Sequence, residues 1–415
     1  MKATFPYILM LGCFDTKEEV FSFLRDQLLS QGWNVRTLNT GVRGSTSLFA
    51  VDYEADLVAA AAGYSLEVIR QKKDRGWAVD VMGKGAAKLV ADLVKQDGLQ
   101  AAVGMGGGGG TYITLAAMQP IPMGVPKLCL TTLATKDLSR QIGIKDITLV
   151  PSVVDLAGLN RISSLLISQA AAAVSAMARV PVQEFKNPTK SIAISMFGNT
   201  TPCVDRCRKL LEEQGYETMA FHATGVGGRT MEALIRENYF TAVLDVTTTE
   251  LADELCGGVL SAGPERLTAA AERGIPQVVV PGCLDMVNFA QKETVPLPYQ
   301  TRLLYSWAPD VTLMRTNLEE NQQLGEEIAI KLNAATGPVT IVLPLRGISQ
   351  ISAPGEVFYQ PEVDQVLFRT IKAHIKAPVK VTELDANIND PAFAEFLVKL
   401  LLEMMQESRA NLKSS

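Results

Sequence analysis

Residues 104–111, Gly-Met-Gly-Gly-Gly-Gly-Gly-Thr, set five consecutive glycines between an apolar run, 99–103, and a stretch from Tyr112 that reads as a helix. Glycine inside a strand or helix gives up backbone entropy and packs nothing. A run of them fits a strand-to-helix turn, where bare N–H groups approach an anion with the helix dipole behind them. Gly106, Gly107, Gly108, Gly109, Gly110 and Thr111 would line that turn. It matches neither the dinucleotide fingerprint with its downstream acid nor the phosphate loop that needs Lys after its last glycine. We read it as a cradle for a phosphate or carboxylate, with a purely structural loop as the alternative.

Open parallel sheets bind ligands beyond the carboxyl ends of their strands, so polar residues after apolar runs matter most. Gly12-Cys13-Phe14-Asp15-Thr16-Lys17 follows the first run. Asp15 or Thr16 is either a helix N-cap or, with Lys17, a ribose, phosphate or metal contact beside the glycine turn. Thr131 and Thr132, with Lys136, suit a phosphate, and Asp155 before Asn160 and Arg161 is either a cap or a ligand. In the second half, Thr200 and Thr201 offer hydroxyls ahead of Pro202, a residue suited to a first helical position. His222 precedes a second glycine-rich turn, Gly225 to Gly228, and Arg229. His222 is the natural acid/base at neutral pH, or else a buried histidine bonded to the backbone. Arg229 can clamp a carboxylate or phosphate bidentately. Asp245, followed by Thr247, Thr248 and Thr249, is a candidate metal ligand, ribose contact or general base. Cys283 has no histidine near it in sequence and reads as a small buried apolar residue. The polar run from Pro344 to Gly355 reads as a surface loop.

The elements that hold these residues are short apolar runs alternating with amphipathic stretches, the pattern of parallel α/β units. Expected strands are 8–11, 34–38, 101–103, 127–131, 191–195, 218–221, 242–245, 277–280 and 340–343. The halves resemble each other, Tyr7 to Val42 matching Ser191 to Val226 in its order of strand, helix, strand and Thr-Gly-Val. These observations predict two Rossmann-like subdomains with mostly parallel sheets. The first is 1–183, carrying the glycine turn; the second is 184–415. A helix at 157–178 closes the first, 181–188 link the two, and 390–415 form one amphipathic helix.

The chain's 415 residues exceed one ordinary core. A net charge of −5 with no basic run argues against nucleic acid. The N-terminal apolar stretch is too short for a signal peptide, and 162–178 carries Ser and Gln throughout, so no membrane segment is expected. Six cysteines without paired C-x-x-C spacing and only two histidines support neither zinc nor disulfides. Any other metal is left open, and the expectation is a cytoplasmic protein with reduced thiols.

The residues also resemble a family: the ATP-binding domain of the plant resistance protein that inhibits tobamovirus replication, with its bacterial and fungal relatives. In the first half the resemblance rests on 12–17, 106–111, Gly124-Val-Pro-Lys127 and Ser152 to Arg161. In the second half it rests on 200–203, 221–225, 244–250, 257–264 and Asp285-Met-Val-Asn288-Phe289. Two positions depart from the family pattern. Trp307-Ala308-Pro309 stands where His-Asn-Pro is usual, and Ser352 where an Asp is usual. The resemblance implies ATP held around the glycine turn, and self-association as a homodimer or higher homo-oligomer, without a settled reaction.

The resulting expectation is an ATP-binding protein, using Mg²⁺, that couples ATP to a small carboxylated metabolite in a cleft between the subdomains. Gly12, Asp15, Thr16, Lys17, the glycine turn, Thr131 and Thr132 would hold the nucleotide. Thr200, Thr201 and Thr247 to Thr249 would face the second substrate, with His222, Arg229 and Asp245 as catalytic candidates. The alternatives are a nucleotide-independent isomerase, lyase or hydrolase of a small organic acid, and a non-catalytic, nucleotide-dependent protein-binding module.

Overall fold

Apolar strands alternating with amphipathic helices produce two parallel sheets. The computed structural model describes residues 5–181 and 190–414; beyond Pro181, the expected linker lies outside the described residues. The chain divides into two units, Met1–Phe185 and Lys186–Ser415.

The N-terminal unit contains β1 (Tyr7–Gly12), β2 (Asn34–Asn39), β3 (Leu99–Gly106), β4 (Lys127–Thr131) and β5 (Ile147–Pro151). Their order is β2-β1-β3-β4-β5, all parallel. Alternation along the strands divides the core between two faces. Ile8, Met10, Val103 and Met105 pack with Leu24 and Ile167, from the helices Glu18–Ser30 and Arg161–Met177. Tyr7, Leu9, Leu11 and Ala102 pack with Val81, Val90 and Ile113, from the helices Arg75–Val94 and Gly108–Met118. Helices on both faces are why β1 is apolar at every position. The helix expected from 157 starts at Arg161, because Asn160 caps it: its side chain accepts from Ile162 and Ser163, and the Ser163 hydroxyl accepts from the Asn160 N–H.

The C-terminal unit contains β6 (Ser191–Met196), β7 (Glu217–His222), β8 (Ala242–Thr247), β9 (Gln277–Gly282), β10 (Met286–Phe289), β11 (Leu304–Ala308), β12 (Val311–Arg315), β13 (Val339–Pro344) and β14 (Lys380–Leu384). The main sheet runs β14-β13-β9-β8-β6-β7, all parallel. Its strands β7-β6-β8-β9-β13 repeat the order of the first sheet, and β14 extends it. Ile192, Ile194, Val246 and Val280 pack against the helices Thr201–Glu213 and Pro391–Ser414 on one face. Val279, Ile341 and Leu343 pack against Leu318–Asn333 and Pro361–His374 on the other.

Between β9 and β13 the chain inserts an antiparallel sheet, β10-β12-β11, that the reading for parallel units did not foresee. β5 and β14 were also missed. Both are half-exposed edge strands and lack the two-faced apolar run. The run to Gly355 departs from the surface loop expected there. Ile348, Ser349, Ile351 and Ser352 are buried. Its backbone is satisfied by neighbours instead of water: Cys283 N–H donates to Ile348 O, and Gln350 N–H to Asn199 O. Among the described residues no helix is long and apolar enough to cross a membrane.

In sheets of this order the carboxyl ends diverge where the winding reverses, between β1 and β3 and between β6 and β8. The glycine turn and the segment 12–17 lie at the first such point; 197–201 and 247–250 lie at the second.

Candidate functional site

Gly106 ends β3, Gly107 is the N-cap, and Gly108, Gly109 and Gly110 form the first turn of the helix Gly108–Met118. Only part of the run is glycine for the fold's sake. A Cβ on Gly106 would lie 2.7–2.8 Å from backbone atoms of Gly110 and Thr111. A Cβ on Gly108 meets nothing within 4 Å, on Gly107 only Thr132 Oγ1 at 3.7 Å, and on Gly110 only Met105 O at 3.5 Å. None of these glycines has a positive φ. Gly108 and Gly110 each cost the helix up to about 1 kcal/mol relative to alanine, so packing and conformation leave their glycine identity unexplained, whereas glycine is a favoured residue at the N-cap position of Gly107. The helix supplies no acceptor for its leading N–H groups.

A groove of about 520 Å³ opens at this turn, lined by Gly108, Gly109 and Tyr112 and by Arg75, Gly76, Val79 and Asp80. The first turns of the helices Arg75–Val94 and Gly108–Met118 therefore meet at one surface, with the exposed Arg75 guanidinium beside them. Asp80 is paired with Lys84 at 2.6 Å. The sequence reading missed Arg75, whose only signal is its place after Asp74, the cap that accepts from Trp77 N–H.

The other residues expected to hold a nucleotide divide. Gly12 is a packing glycine: a Cβ there would fall inside contact distance of the Phe21 ring. Thr111 and Thr131 are buried and hydrogen-bonded to each other at 2.6 Å, tying the helix to β4. Thr132 and Thr16 are exposed. Lys17 Nζ donates to Leu156 O at 2.9 Å and lies 3.9 Å from Asp155, joining the loop after β1 to the one after β5. Asp15 accepts from Arg43 N–H through Oδ2 at 2.8 Å, while its buried Oδ1 has no partner. Burial raises the Cys13 thiol, so it is protonated at neutral pH.

The second glycine-rich turn is built on the opposite principle. A Cβ on Gly228 would collide with the Glu250 carboxylate, and one on Gly227 with His222 O. Glu250 Oε1 accepts from Gly225 N–H at 2.7 Å and Gly228 N–H at 3.1 Å. The anion seat at this helix start is filled by the chain itself. His222 ends the edge strand β7 and is exposed, as is Arg229.

Asp245, expected as base, metal ligand or ribose contact, is instead buried and bound on both oxygens. Arg266 holds it through two bonds of 2.6 Å, and Ser195 Oγ donates at 2.6 Å. Arg266 also reaches Glu250 at 2.6 Å and Glu232 at 3.1 Å. Burial pushes the Glu232 carboxyl up even with Arg266 beside it. The threonines expected to face a substrate are likewise engaged inward. Thr200 and Thr247 share a bond of 2.7 Å, Thr248 donates to Val280 O, Thr249 to Met286 O, and Thr201 to Phe197 O. Ser352 is buried and accepts from Ile348 and Ser349 N–H, whereas Trp307 stands half-exposed on β11. Among the described residues no group of three or more His, Cys, Asp or Glu could hold a metal.

Two family models match the chain. The uncharacterised protein family (UPF0261) N-terminal domain matches residues 6–183, and the corresponding C-terminal domain matches 189–405. A UPF0261 protein of Clostridium tetani is 45% identical over 96% of this chain and 99% of its own length. One of Mesorhizobium japonicum is 40% identical over 95% and 98%. The ToMV resistance protein Tm-1(GCR237) of Solanum lycopersicum is 36% identical over 97% of this chain, which spans 56% of that longer protein. Among solved structures, a UDP-N-acetylglucosamine 2-epimerase from Rickettsia bellii aligns with 66% of this chain and 78% of its own at 9% identity and a TM-score of 0.23, values that carry no argument. Matched in both units, and at 45% identity along nearly the whole of one relative, this chain belongs to the UPF0261 family.

Proposed function

We propose that the N-terminal unit is a nucleotide-binding module that seats the phosphates of ATP on the turn Gly107–Gly110. The contrast between the two glycine-rich turns carries this reading. At Gly225–Gly228 the leading N–H groups are capped by Glu250 and the glycines are required by packing. At Gly107–Gly110 no side chain among the described residues takes the N–H groups, and Gly108 and Gly110 are kept where a Cβ would fit, while one on Gly109 would press on Val79 Cγ2 at 3.1 Å. Bare donors at a helix start favour an anion, and Arg75 adds a guanidinium that binds phosphate oxygens through paired N–H bonds. Asp15, in the loop after the adjoining strand β1 and with one unpartnered oxygen among the described residues, is the carboxylate we assign to a Mg²⁺ ion arriving with the nucleotide.

The reading stops at binding. Asp245 is committed to Arg266, which leaves the exposed His222 as the base for the alternative of an organic-acid enzyme. Self-association is part of the proposal and is read from the mass of the full chain with and without nucleotide.

Thermal unfolding with Mg-ATP, ADP and a panel of small organic acids tests it. At about 100 times its dissociation constant a ligand adds about 2.7 kcal/mol. A shift with ATP that Gly108→Val abolishes, while the variant's unliganded unfolding stays cooperative, supports the module. No nucleotide shift, but one with a carboxylic acid, overturns it in favour of a carboxylate cradle.

A further inference from the structure

In the C-terminal unit the segment 345–358 crosses the carboxyl ends of the sheet, where ligands of doubly wound proteins sit. It is tacked to three neighbouring elements by Cys283 N–H on Ile348 O, Gln350 N–H on Asn199 O, and Ile388 N–H on Gly347 O. Its buried polar anchor is Asp285, just beyond β9. Ser349 Oγ donates to Asp285 Oδ2 at 2.8 Å and lies 3.2 Å from Ser352 Oγ, which accepts from the segment's own N–H groups. Asp285 has no exposed surface, and its Oδ1 has no partner.

We propose that the segment 345–358 is a lid over this edge of the sheet and that Asp285 is its latch, closed while its carboxyl carries a proton and released when it ionises.

Charge balance at the site supports this. The groups facing Asp285 are Cys283 on its own loop, Ser349 on the lid, Arg315 on β12, and Asp364 on the helix Pro361–His374. Arg315 is the cation among them, and it is already bound to Asp364 at 2.6 Å and to the carbonyls of Phe358 and Gln360. Cys283 stays neutral because burial pushes its thiol up. An ionised Asp285 would thus hold a buried negative charge with a hydroxyl for a partner, beside a second carboxylate. Burial, offset in part by Arg315 and by the bond from Ser349, raises its carboxyl to about 7, so the change is complete by neutral pH. The sign follows directly. The closed lid binds up to one proton more than the open lid between the usual carboxylate range and about pH 7, so closure weakens as pH climbs through that range and stays constant above it.

Hydrogen exchange of the segment 345–358 in the full chain, corrected for base-catalysed intrinsic rates, tests the latch. From the usual carboxylate range up to about pH 7 lid exchange should rise by up to about tenfold per pH unit, and above about pH 7 it should level off. Asp285→Asn, which mimics the protonated acid, should hold the low-pH protection at every pH, and Asp253→Asn should keep the wild-type dependence. Flat protection across this range in the wild type overturns the latch, whether or not the Asp285 variant folds. So does a pH dependence that survives Asp285→Asn or vanishes in Asp253→Asn.

Discussion

Replacing Arg266 with Met keeps most of the side-chain volume and removes the charge. The fully buried guanidinium serves Asp245 through two bonds, Glu250 through one, Glu232 through one, and the carbonyl of Thr247. Asp245 and Glu250 have no solvent-exposed surface, and Glu232 almost none. Breaking one buried ion pair by removing a partner costs about 3–5 kcal/mol, because the other charge stays behind. Here three carboxylates are left behind, so the cost should be at least about 5 kcal/mol at pH 7. Proton uptake caps the cost of each orphaned acid, since bringing one buried carboxyl from its usual range to neutral protonation costs about 4 kcal/mol. That is comparable with the whole stability of a typical domain, about 5–15 kcal/mol. The sign with pH follows: orphaned acids have raised folded-state pKa values, so the variant recovers stability as pH falls from 7 toward 5, and Arg266→Met with Asp245→Asn recovers part of the loss at pH 7. Urea unfolding followed by circular dichroism gives both quantities. A loss under about 1 kcal/mol, or a variant that weakens further on mild acidification, would refute the reasoning.

Three further outcomes are expected. Gly108→Ala should raise thermal stability by up to about 1 kcal/mol, since no atom opposes its Cβ, while reducing the stabilisation by Mg-ATP. Scanning calorimetry with and without nucleotide separates the two effects. Gly106→Ala, whose Cβ meets backbone, should instead lose about 1–3 kcal/mol in urea unfolding. Asp253 is buried, which raises its carboxyl to about 7 against the bonds from Asn288 and Leu260. Its contribution should therefore fall as pH climbs from the usual carboxylate range to about 7 and stay flat above, a slope that Asp253→Asn removes from the pH profile of Tm.

Strands buried on both faces were readable, because an apolar run such as Ala242 to Leu244 or Val278 to Val280 has few other homes. β14 was not, since Lys380 and Glu383 on its exposed positions break that run. The glycine turn was readable as a strand-to-helix junction, because five glycines suit the interior of neither a strand nor a helix. The difference between the two turns was not. It depends on Glu250, more than twenty residues away, folding back onto Gly225 and Gly228. Asp245 misled for the same reason: a polar residue ending an apolar strand looks functional until Arg266 is placed against it. Ser349 and Ser352 read as solvent-facing by type, yet their hydroxyls bond inward.

The Glu250 carboxylate on the second turn is a ligand that the chain carries with it. Tethering gives such a group an effective concentration in the millimolar range or higher, independent of what surrounds the molecule. A free phosphate or carboxylate would have to outcompete an occupant that never diffuses away and whose departure would also break its bond to Arg266. The C-terminal turn is therefore indifferent to the supply of small anions. At the N-terminal turn no acid among the described residues caps the helix, so on the proposed reading its occupancy would follow the composition of its surroundings.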